Sequence, residues 1–499
     1  MSNDALPPLL ILLSSLLPGL IIFFLPEKSV RLRTALNLCG ALFKVAVVIV
    51  VLQGVYAGLE YSASVPFLPG NDLVLRIDSL ALLFVTLSAG LWLVMTVYAV
   101  SYLEDSPNRS RFFGFYSLCV SATVGIAMAG DLLTLFVFYE LLTIATYPLV
   151  VHNGTPEARR AGTVYLAFTI GGGVLLLAGT VWVQTLAVST NFLEVAGVLE
   201  GLGQEHETAL RLIFALMVGG FGVKAAVVPL HQWLPRAMVA PAPVSALLHA
   251  VAVVKAGAFG IIRVVYDVYG VELSHALGLS DALAVLATAT ILYGSFQALR
   301  QDDLKLRLAY STVSQVSYIL LGIALYSPLA SIGGLSHLVH QGLMKITLFL
   351  CAGNLGQTLG IHKVSEMNGA GARMPWTMAA FSVAALGMIG LPPFAGFISK
   401  WYLGSGAVQS GAGWALVVLL ISSLLNAAYF LPILSRVWFR KQTGPWPEEK
   451  SFGRFETKAG LLFPPVTTAI ATVAVGLFAG TPVSPLSWIR DVVAVEYRL

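Results

Sequence analysis

The sequence has 499 residues, of which 57% are apolar and only 11% are charged, and its net charge is +4. Soluble domains carry about 25% charged residues, so this chain has too few charges to cover a water-facing surface of its size. The composition excludes a soluble enzyme, a disordered chain and a nucleic-acid binder, and it predicts a polytopic membrane protein. The three cysteines lie far apart without a CxxC motif, so we expect no metal, cofactor or disulfide framework.

In chain order, 14 apolar runs are each long enough to cross a bilayer. They cover residues 5–25, 34–58, 78–102, 113–130, 132–151, 161–187, 209–229, 242–268, 280–299, 308–326, 329–357, 375–403, 413–436 and 460–482. Residues 61–77 differ, because they alternate around a Pro-Gly-Asn turn and predict a short hairpin. The first basic residue is Lys28, so we expect no cleaved signal peptide, and the first run should remain as a spanning helix. The predicted fold class is an all-α polytopic membrane protein with about 14 transmembrane helices, the last of which ends near residue 479 with no long polar helix after it.

The distribution of Lys and Arg predicts the orientation of these helices. The loops on one side hold 19 basic residues, and the loops on the other side hold five. Those five are Arg76, Arg211, Arg263, Arg490 and Arg498. Because basic residues accumulate in cytoplasmic loops, we expect both termini to be extracytoplasmic, in a cell inner or plasma membrane.

The remaining five basic residues lie inside predicted spans, and all of them are lysines. They are Lys44, Lys224, Lys255, Lys345 and Lys400. A charged residue at the centre of a span costs about 2.5–3.5 kcal/mol. A buried lysine can release its proton, whereas arginine cannot, so the group predicts a proton relay. Each lysine alone is also compatible with snorkelling or a single ion pair, and Lys44, which has no identifiable partner, is expected to snorkel or to face another subunit.

Glu140 is the only acidic residue within the fifth span, and we interpret Asp131 at the entrance of that span as a helix cap. A buried glutamate is stabilised in its charged form by a nearby cation, and Lys224 in the seventh span is the expected one. We interpret the pair as a two-state switch, in which the lysine releases its proton when the two residues separate. The alternative is a static ion pair between the two helices.

Two spans carry helix-breaking residues. These are Pro229 and Pro235, which flank the segment after Lys224, and Pro392, Pro393 and Gly396 in the twelfth span. Proline removes a backbone donor, so both helices are expected to break near mid-membrane, beside Lys224 and Lys400. Each proline alone would predict an ordinary kink, but paired breaks beside ionisable residues point to inverted repeats.

Spans 4–8 and 9–13 would each form a five-helix unit, and an odd number of spans inverts the second unit relative to the first. The predicted divisions are three N-terminal helices with the hairpin (1–112), the first repeat (113–270), the second repeat (271–440), and a C-terminal loop with the last helix (441–499). In this arrangement Lys224 and Lys400 are counterparts.

Further polar residues lie within the predicted spans or close to them. They are His231, His249, the i, i+3, i+4, i+7 stripe Ser311, Ser314, Gln315 and Tyr318, and His337 and Gln341, which share one helix face with Lys345. Histidine can relay protons near neutral pH, while the stripe either holds water or bonds neighbouring helices. His340, on another face, fits a packing role, and so does His249. No carboxylate neighbours these histidines, so a metal site is not expected.

Four segments resemble a known family. They are the Glu140 segment, FGVKAAVVPLHQWLPRAMVAPAPVSALLHAVAVVKAG (221–257), DDLKLRLAYSTVSQVSY (302–318) and GLPPFAGFISKW (390–401). Over roughly residues 70–440 the chain resembles the antiporter-like subunits shared by respiratory complex I, membrane-bound hydrogenases and Mrp-type Na+/H+ antiporters. It looks most like the D-type subunits of the Mrp antiporters. The resemblance implies a proton path in the order Glu140, Lys224, Lys255, Lys345 with His337, and Lys400. Gln341 departs from the family pattern, in which a histidine often occupies that position.

The resemblance implies a proton-conducting subunit of a multisubunit Na+/H+ antiporter, with other membrane subunits as partners. Two other functions stay open: the membrane arm of a complex I-like or hydrogenase-type oxidoreductase, and a proton-coupled subunit of a bicarbonate-uptake complex. With no cofactor motif, the chain is not expected to perform redox chemistry alone.

Overall fold

The computed structural model describes residues 3–69, 71–187, 189–203 and 205–498. Within these ranges the chain consists of helices and one two-stranded hairpin, so the predicted all-α polytopic fold class is confirmed. Gly70, at the centre of the predicted Pro-Gly-Asn turn, lies outside the described residues.

The first part of the chain forms long helices around the hairpin. The elements are α1 (Leu6–Phe23), α2 (Val30–Tyr56), β1 (Tyr61–Leu68), β2 (Asn71–Ile77), α3 (Ser79–Tyr102), α4 (Arg109–Ala127), α5 (Leu132–Val150), α6 (Pro156–Ala187), α7 (Val195–Leu202) and α8 (Glu207–Lys224). An irregular stretch then contains α9 (Trp233–Arg236) between 3₁₀ turns at Leu230–Gln232 and Ala237–Val239.

The second part begins with a helix in two pieces. Its elements are α10 (Ala242–Ala250), α11 (Val253–Arg263) with a π-helical turn at Val264–Val268, α12 (Val271–Ala276), α13 (Leu279–Arg300), α14 (Leu304–Ala324), α15 (Pro328–Leu359), α16 (Ala370–Arg373), α17 (Pro375–Ile389), α18 (Ala395–Gln409), α19 (Gly413–Phe439), α20 (Ala459–Leu477) and α21 (Pro485–Glu496).

Nine helices of the described chain are long and apolar enough to cross a membrane by length and composition, with α10, α11 and the π turn taken as one. The other five predicted spans are also helical, at α4, α8, α14, α15 and the α17–α18 pair. The α17–α18 pair is interrupted, and the others carry more polar side chains, which suits helices that face protein rather than lipid.

Acidic and hydroxyl side chains cap several helices. Asp78 accepts a hydrogen bond from the backbone N–H of Ala81 at the start of α3, and Asp131 accepts one from Thr134 at the start of α5, each at 2.7 Å. These bonds satisfy donors that have no partner within the helix. The prediction that Asp131 is a cap is confirmed.

The predicted hairpin is also confirmed. β1 and β2 pair antiparallel, with Tyr61 opposite Ile77 and an irregular register between Pro66 and Leu68. The backbone of β2 continues its hydrogen bonding onto the α4–α5 connection, where Gly130 donates to Val74 at 2.8 Å. The hairpin therefore packs on the ends of α4 and α5.

The interior of the bundle is formed by α10, α11, α14 and α15. Every residue of α10 and α11 is buried, and nearly every residue of α14 and α15 is buried too. By contrast α2, α6 and α19 expose apolar side chains such as Val50, Val174 and Leu424, which fits contact with lipid or with another subunit. Lysines on α11 and α15 consequently lie at the centre of the molecule.

Within the described residues three helices are broken, one more than predicted. α8 ends at Lys224, before Pro229, and α17 and α18 are separated by residues 390–394, as the prolines predict. The third break separates α10 from α11 at Val251 and Ala252, whose backbone leaves the helical region (Ala252 φ −102°, ψ −86°). Because no proline or glycine is present there, this break could not be predicted from the sequence.

A helix follows the last predicted span. The 12-residue α21 begins at Pro485 behind a Ser484 cap and buries Leu486, Ile489 and Val493 along one face. This face packs on α15 and α3. The prediction that no long polar helix follows residue 479 is compatible with so short an element, but the docked helix itself was missed.

Candidate functional site

Lys224 is the last residue of α8, and it is completely buried. Its Nζ donates a hydrogen bond to the backbone carbonyl of Tyr139 on α5 and lies 3.3 Å from the centre of the Tyr139 ring. The Tyr139 hydroxyl in turn donates to the carbonyl of Gly220 at 2.6 Å, which ties α5 to α8. The ammonium is thus held by a carbonyl and an aromatic face, which both stabilise a cation.

Glu140 follows Tyr139 on α5, but its carboxylate does not bond Lys224 directly. Its Oε1 is buried with no hydrogen-bond partner in the described part of the chain, and the carboxylate packs against Gly173 of α6. The side chain as a whole is only half-buried, at the outer face of the bundle. The two charges still attract each other across the gap. The two side chains are thus apart in this arrangement, and the predicted two-state switch between them stays a prediction.

Lys255 lies one turn inside α11, just after the third helix break. It is completely buried, and its Nζ has no hydrogen-bond partner among the described residues. His249 lies on the other side of the break, also buried, and stacks on Phe349 at a centroid distance of 4.5 Å. His249 lies on α10 and Lys255 on α11, so the break lies between the two residues.

Lys345 joins α15 to the polar stripe of α14. Its Nζ donates to the carbonyl of Leu308 at 3.1 Å and to the hydroxyl of Ser311. The stripe continues with Ser314, whose hydroxyl is 2.8 Å from that of Ser295 on α13. Gln315 has neither side-chain atom bonded within the described chain. The stripe therefore bonds neighbouring helices through its serines, and the possibility that it also holds water stays a prediction.

His337 connects α15 to α18 beside Lys400. Its Nδ1 is 2.9 Å from the Ser399 hydroxyl, and its ring stacks on Tyr318 at 5.1 Å. Lys400 lies near the same ring, with its Nζ 5.4 Å from the centre of the Tyr318 ring. His337 also lies within electrostatic range of Lys255 and Lys345. His337 thus lies near three of the buried lysines, Lys255, Lys345 and Lys400.

Lys400 binds the carboxyl end of the half-helix α17. Its Nζ donates to the carbonyls of Met388 at 3.0 Å and Ile389 at 2.8 Å, and to the Ser423 hydroxyl at 2.9 Å. Gly390 permits this approach, because it has a φ of +96° and a Cβ there would lie 2.6 Å from Cδ of Lys400. The carbonyls freed by the break form the negative end of the helix dipole, which favours a cation.

Lys224 and Lys400 are not placed as counterparts relative to the breaks. Lys224 precedes its break as the last residue of α8, whereas Lys400 follows its break within α18. Both amines bond backbone carbonyls, but Lys224 uses a neighbouring helix and Lys400 uses its own broken partner. The two lysines therefore differ in their position relative to the breaks, and their correspondence within inverted repeats stays a prediction.

The remaining predicted polar residues have different roles. His231 packs its ring against Tyr293 at 4.9 Å, beyond Pro229, and Gln341 has both side-chain polar atoms unbonded in the described structure. His340 is buried on α15. Lys44 neither snorkels nor faces outward, because it is completely buried and donates to Ser15 at 2.8 Å. The expectation that Lys44 lacks a partner inside this chain is wrong.

A buried charge cluster escaped the sequence interpretation. Arg263, counted among the outer loop residues, is 1% exposed on α11 and forms ion pairs with Asp78 at 2.8 Å and with Asp267 at 3.1 Å. The spacing Arg263–Asp267 was visible as an i, i+4 pair, but Asp78 is 185 residues away. Burial alone would raise the pKa of Asp78, which caps α3, but Arg263 lowers that pKa below its ordinary value.

Lys305 is a second residue that the sequence assigned only to a loop. It lies in the first turn of α14, and its Nζ donates to the carbonyl of Ala240 at 2.6 Å. It acts electrostatically on His249, as Lys345 does. Lys305 and His249 therefore connect the end of α14 with the central lysines. In the described residues no three His, Cys, Asp or Glu side chains lie together as metal ligands.

Comparisons with known proteins agree on one family. Residues 129–426, more than half of the chain, match the family model described as NADH:quinone oxidoreductase/Mrp antiporter, TM. NADH-quinone oxidoreductase subunit N of Desulforudis audaxviator is 37% identical over 82% of this chain and 83% of its own length. The antiporter subunit mnhA2 of Staphylococcus aureus is 30% identical over 77% of this chain, which spans only 51% of that longer relative.

Two solved structures share the whole fold. A chain of the Mrp complex from Dietzia sp. DQ12-45-1b superposes with a TM-score of 0.87 at 22% identity, covering 100% of this chain and 98% of that one. A chain of the membrane-bound sulfane sulfur reductase, an archaeal respiratory membrane complex, gives 0.88 at 23% identity, covering 98% of both. The chain belongs to the NADH:quinone oxidoreductase/Mrp antiporter transmembrane family.

Proposed function

We propose that this chain is the proton-translocating integral membrane subunit of a multisubunit monovalent cation (Na+)/H+ antiporter. The observation that carries the proposal is Lys255, a fully buried amine with no hydrogen-bond partner among the described side chains and carbonyls. An uncompensated buried charge is costly, so a lysine kept only for packing would be bonded or would reach the surface. A lysine that must alternate between charged and neutral forms has reason to lack a permanent partner.

The other lysines lie on either side of Lys255, each with a different cation-binding environment. Lys224 rests on the carbonyl and ring of Tyr139, and Lys345 rests on Leu308 and Ser311. Lys400, the last lysine of the proposed row Lys224, Lys255, Lys345 and Lys400, bonds the carbonyls of α17. In the proposed mechanism a proton steps from one amine to the next, and each arrival of charge repels the charge on the neighbouring lysine.

Water would fill the gaps between these amines. Several buried polar atoms near the row have no partner in the described chain: both ring nitrogens of His249, Nε2 of His337, and the side-chain amides of Gln315 and Gln341. Buried polar groups are normally hydrogen-bonded, to protein or to ordered water. A water chain along this row would supply those bonds and would also bridge the position at which Gln341 cannot itself carry a proton.

The half-buried Glu140 supports a hetero-oligomer. A carboxylate at the outer face of a spanning bundle is costly against lipid, and Oε1 has no partner inside the described chain. A neighbouring subunit that covers this face would shield it. Relatives and structural neighbours belong to multisubunit membrane complexes, which agrees with such a partner.

A second candidate function is the proton-pumping membrane arm of a quinone oxidoreductase. It is favoured by the 37% identity to a subunit N across most of both chains. We retain the antiporter as the main proposal, with a D-type Mrp subunit as the finer assignment. Affinity purification from the native membrane with mass spectrometry of the partners separates the two: small antiporter subunits support the first, and redox subunits support the second.

The transport activity itself is tested in everted vesicles that contain the assembled complex. Lys224→Ala and Glu140→Ala should each abolish proton exchange with little loss of assembly, while Glu140→Asp should retain part of it. The reason is that each substitution removes one charge of the proposed switch, while Oε1 of Glu140 makes no hydrogen bond in the described chain. Unchanged exchange in both alanine variants would contradict the proposed function.

A further inference from the structure

A cavity of about 990 Å³ opens between α6, α14 and the segment that contains α9. Its volume lies at the upper end of the roughly 300–1,000 Å³ found for small-molecule sites. No residue of the proposed proton path lines it. Its mouth lies where α6 and α14 begin, on the side whose loops carry most of the Lys and Arg, which we expect to be cytoplasmic.

Four charged side chains line the mouth, two of each sign. Arg160 and Arg236 are exposed and have no hydrogen-bond or ion-pair partner in the described chain. Glu157 is likewise exposed and free, while Asp303 uses Oδ1 to cap α14. The charges of the lining cancel, so the mouth complements a group that carries both signs better than a purely anionic one.

The lining becomes apolar with depth. On α6, Val164 lies four residues beyond Arg160, which is about 6 Å further along the helix. On α14, Leu306 and Tyr310 follow the Asp303 cap in the same direction. The segment that contains α9 forms the third wall, where Met238 lies two residues after Arg236. A ligand for this cavity is therefore charged at the membrane surface and apolar below it.

We propose that the cavity binds one phosphatidylethanolamine molecule of the cytoplasmic leaflet. Its phosphate would lie between Arg160 and Arg236, and its ammonium would donate to Glu157 and the free oxygen of Asp303. An acyl chain would follow Val164 and Leu306 into the bilayer.

The test is lipid binding to the purified full-length protein. Delipidated protein is titrated with phosphatidylethanolamine, phosphatidylcholine and phosphatidylglycerol of identical acyl chains, and bound lipid is counted by native mass spectrometry. Phosphatidylcholine keeps the phosphate but has no N–H to donate, so ethanolamine lipid should bind roughly tenfold tighter, as expected for lost charge-assisted hydrogen bonds. Equal affinity for the two, or a preference for the glycerol lipid, would overturn the assignment.

Substitutions distinguish lipid that is bound in this cavity from lipid that surrounds the protein nonspecifically. Arg160→Ala should weaken binding of all three lipids, and Glu157→Gln should remove only the preference for ethanolamine over choline. Arg159→Ala is the matched control, because Arg159 is equally exposed on the next residue of α6 but does not line the cavity. If Arg159→Ala and Arg160→Ala lose the same affinity, the cavity is not the site.

The alternative occupant is a helix of a neighbouring subunit. A cysteine at Val164 in the assembled complex distinguishes the two, because a lipid leaves it accessible to membrane-soluble thiol reagents. A subunit would instead allow disulfide cross-linking. Cross-linking of this cysteine to a partner subunit in high yield would overturn the lipid proposal.

Discussion

The Nζ of Lys400 lies 2.8 Å from the carbonyl oxygen of Ile389, the last residue of the half-helix α17. This bond crosses the helix break, because Ile389 ends α17 and Lys400 belongs to α18, the other half of the same span. The geometry favours a cation at this position, and the proposed function requires that cation to give up its proton.

Lys400 can be tested by two substitutions that keep a long polar side chain. Lys400→Arg retains a cation for the carbonyls of Met388 and Ile389 but cannot release a proton. Lys400→Glu places an anion beside them. Both variants should insert normally and lose about tenfold or more of the proton flux, because arginine cannot release a proton and glutamate reverses the charge. A fully active Lys400→Arg in vesicle assays would show that Lys400 is only a fixed charge and that the relay ends at Lys345.

Gly173 provides a test of Glu140 that leaves the carboxylate in place. A Cβ at 173 would overlap Oε1 of Glu140, so Gly173→Ala must displace that side chain. Gly171→Ala is the matched control on the same helix, because nothing lies within 4 Å of its Cβ. Alanine stabilises a helix by about 1 kcal/mol over glycine, so lost folding would not explain lost flux. We expect reduced exchange for position 173 only, and equal activity of the two variants would mean that the position of Glu140 is unimportant.

The orientation of the chain is tested by cysteine labelling in intact cells and everted vesicles. Cysteines at Arg109 and Arg440 should react only from the cytoplasm, and one at Asn71 in the hairpin only from outside. The reason is that basic residues are concentrated in the loops of one side, 19 against five. One of those five, Arg263, is buried inside the molecule, which leaves four in the loops of the opposite side. Outside labelling of residue 440 would be incompatible with 14 spans and with inverted repeats.

The docking of α21 should depend on pH through Glu496. Burial in the docked helix, together with the nearby charge of Asp267, raises the pKa of Glu496 to about 8. The docked state therefore binds the proton more tightly than the undocked one, and docking should weaken as the pH rises from about 5 toward 8 and remain weak above that. Hydrogen exchange of α21, corrected for intrinsic rates, should increase across this range in the wild type. Glu496→Gln should be flat, and a pH dependence that survives this substitution would rule out Glu496 as its source.

Much of the architecture could be predicted because membrane spans are encoded locally. Apolar runs, the hairpin turn residues, the Asp131 cap and the two proline breaks each act within a few neighbouring residues. The third break at Val251 and Ala252 could not be predicted, since no local residue forces it and packing in the interior must stabilise it.

The residues of the candidate site could be predicted from the sequence, but the contacts that they make could not. Buried lysines stand out in a sequence because their cost in a span is high. Their partners do not, because Lys224 bonds a backbone carbonyl, Lys44 bonds a serine 29 residues away, and Arg263 pairs with Asp78 from another helix. Backbone acceptors have no signature in a sequence, and long-range pairs depend on the three-dimensional packing of the helices.

The proposed relay depends most directly on Lys255. The decisive measurement is proton flux driven by a pH gradient in proteoliposomes of the assembled complex carrying Lys255→Met, which keeps the length of the side chain and removes its charge. Lys44→Met is the matched control, since Lys44 is equally buried but bonded to Ser15 outside the row. We predict that Lys255→Met assembles and conducts only at background level while Lys44→Met conducts. Wild-type flux through Lys255→Met, or equal loss in both variants, would contradict a proton path through the central lysine.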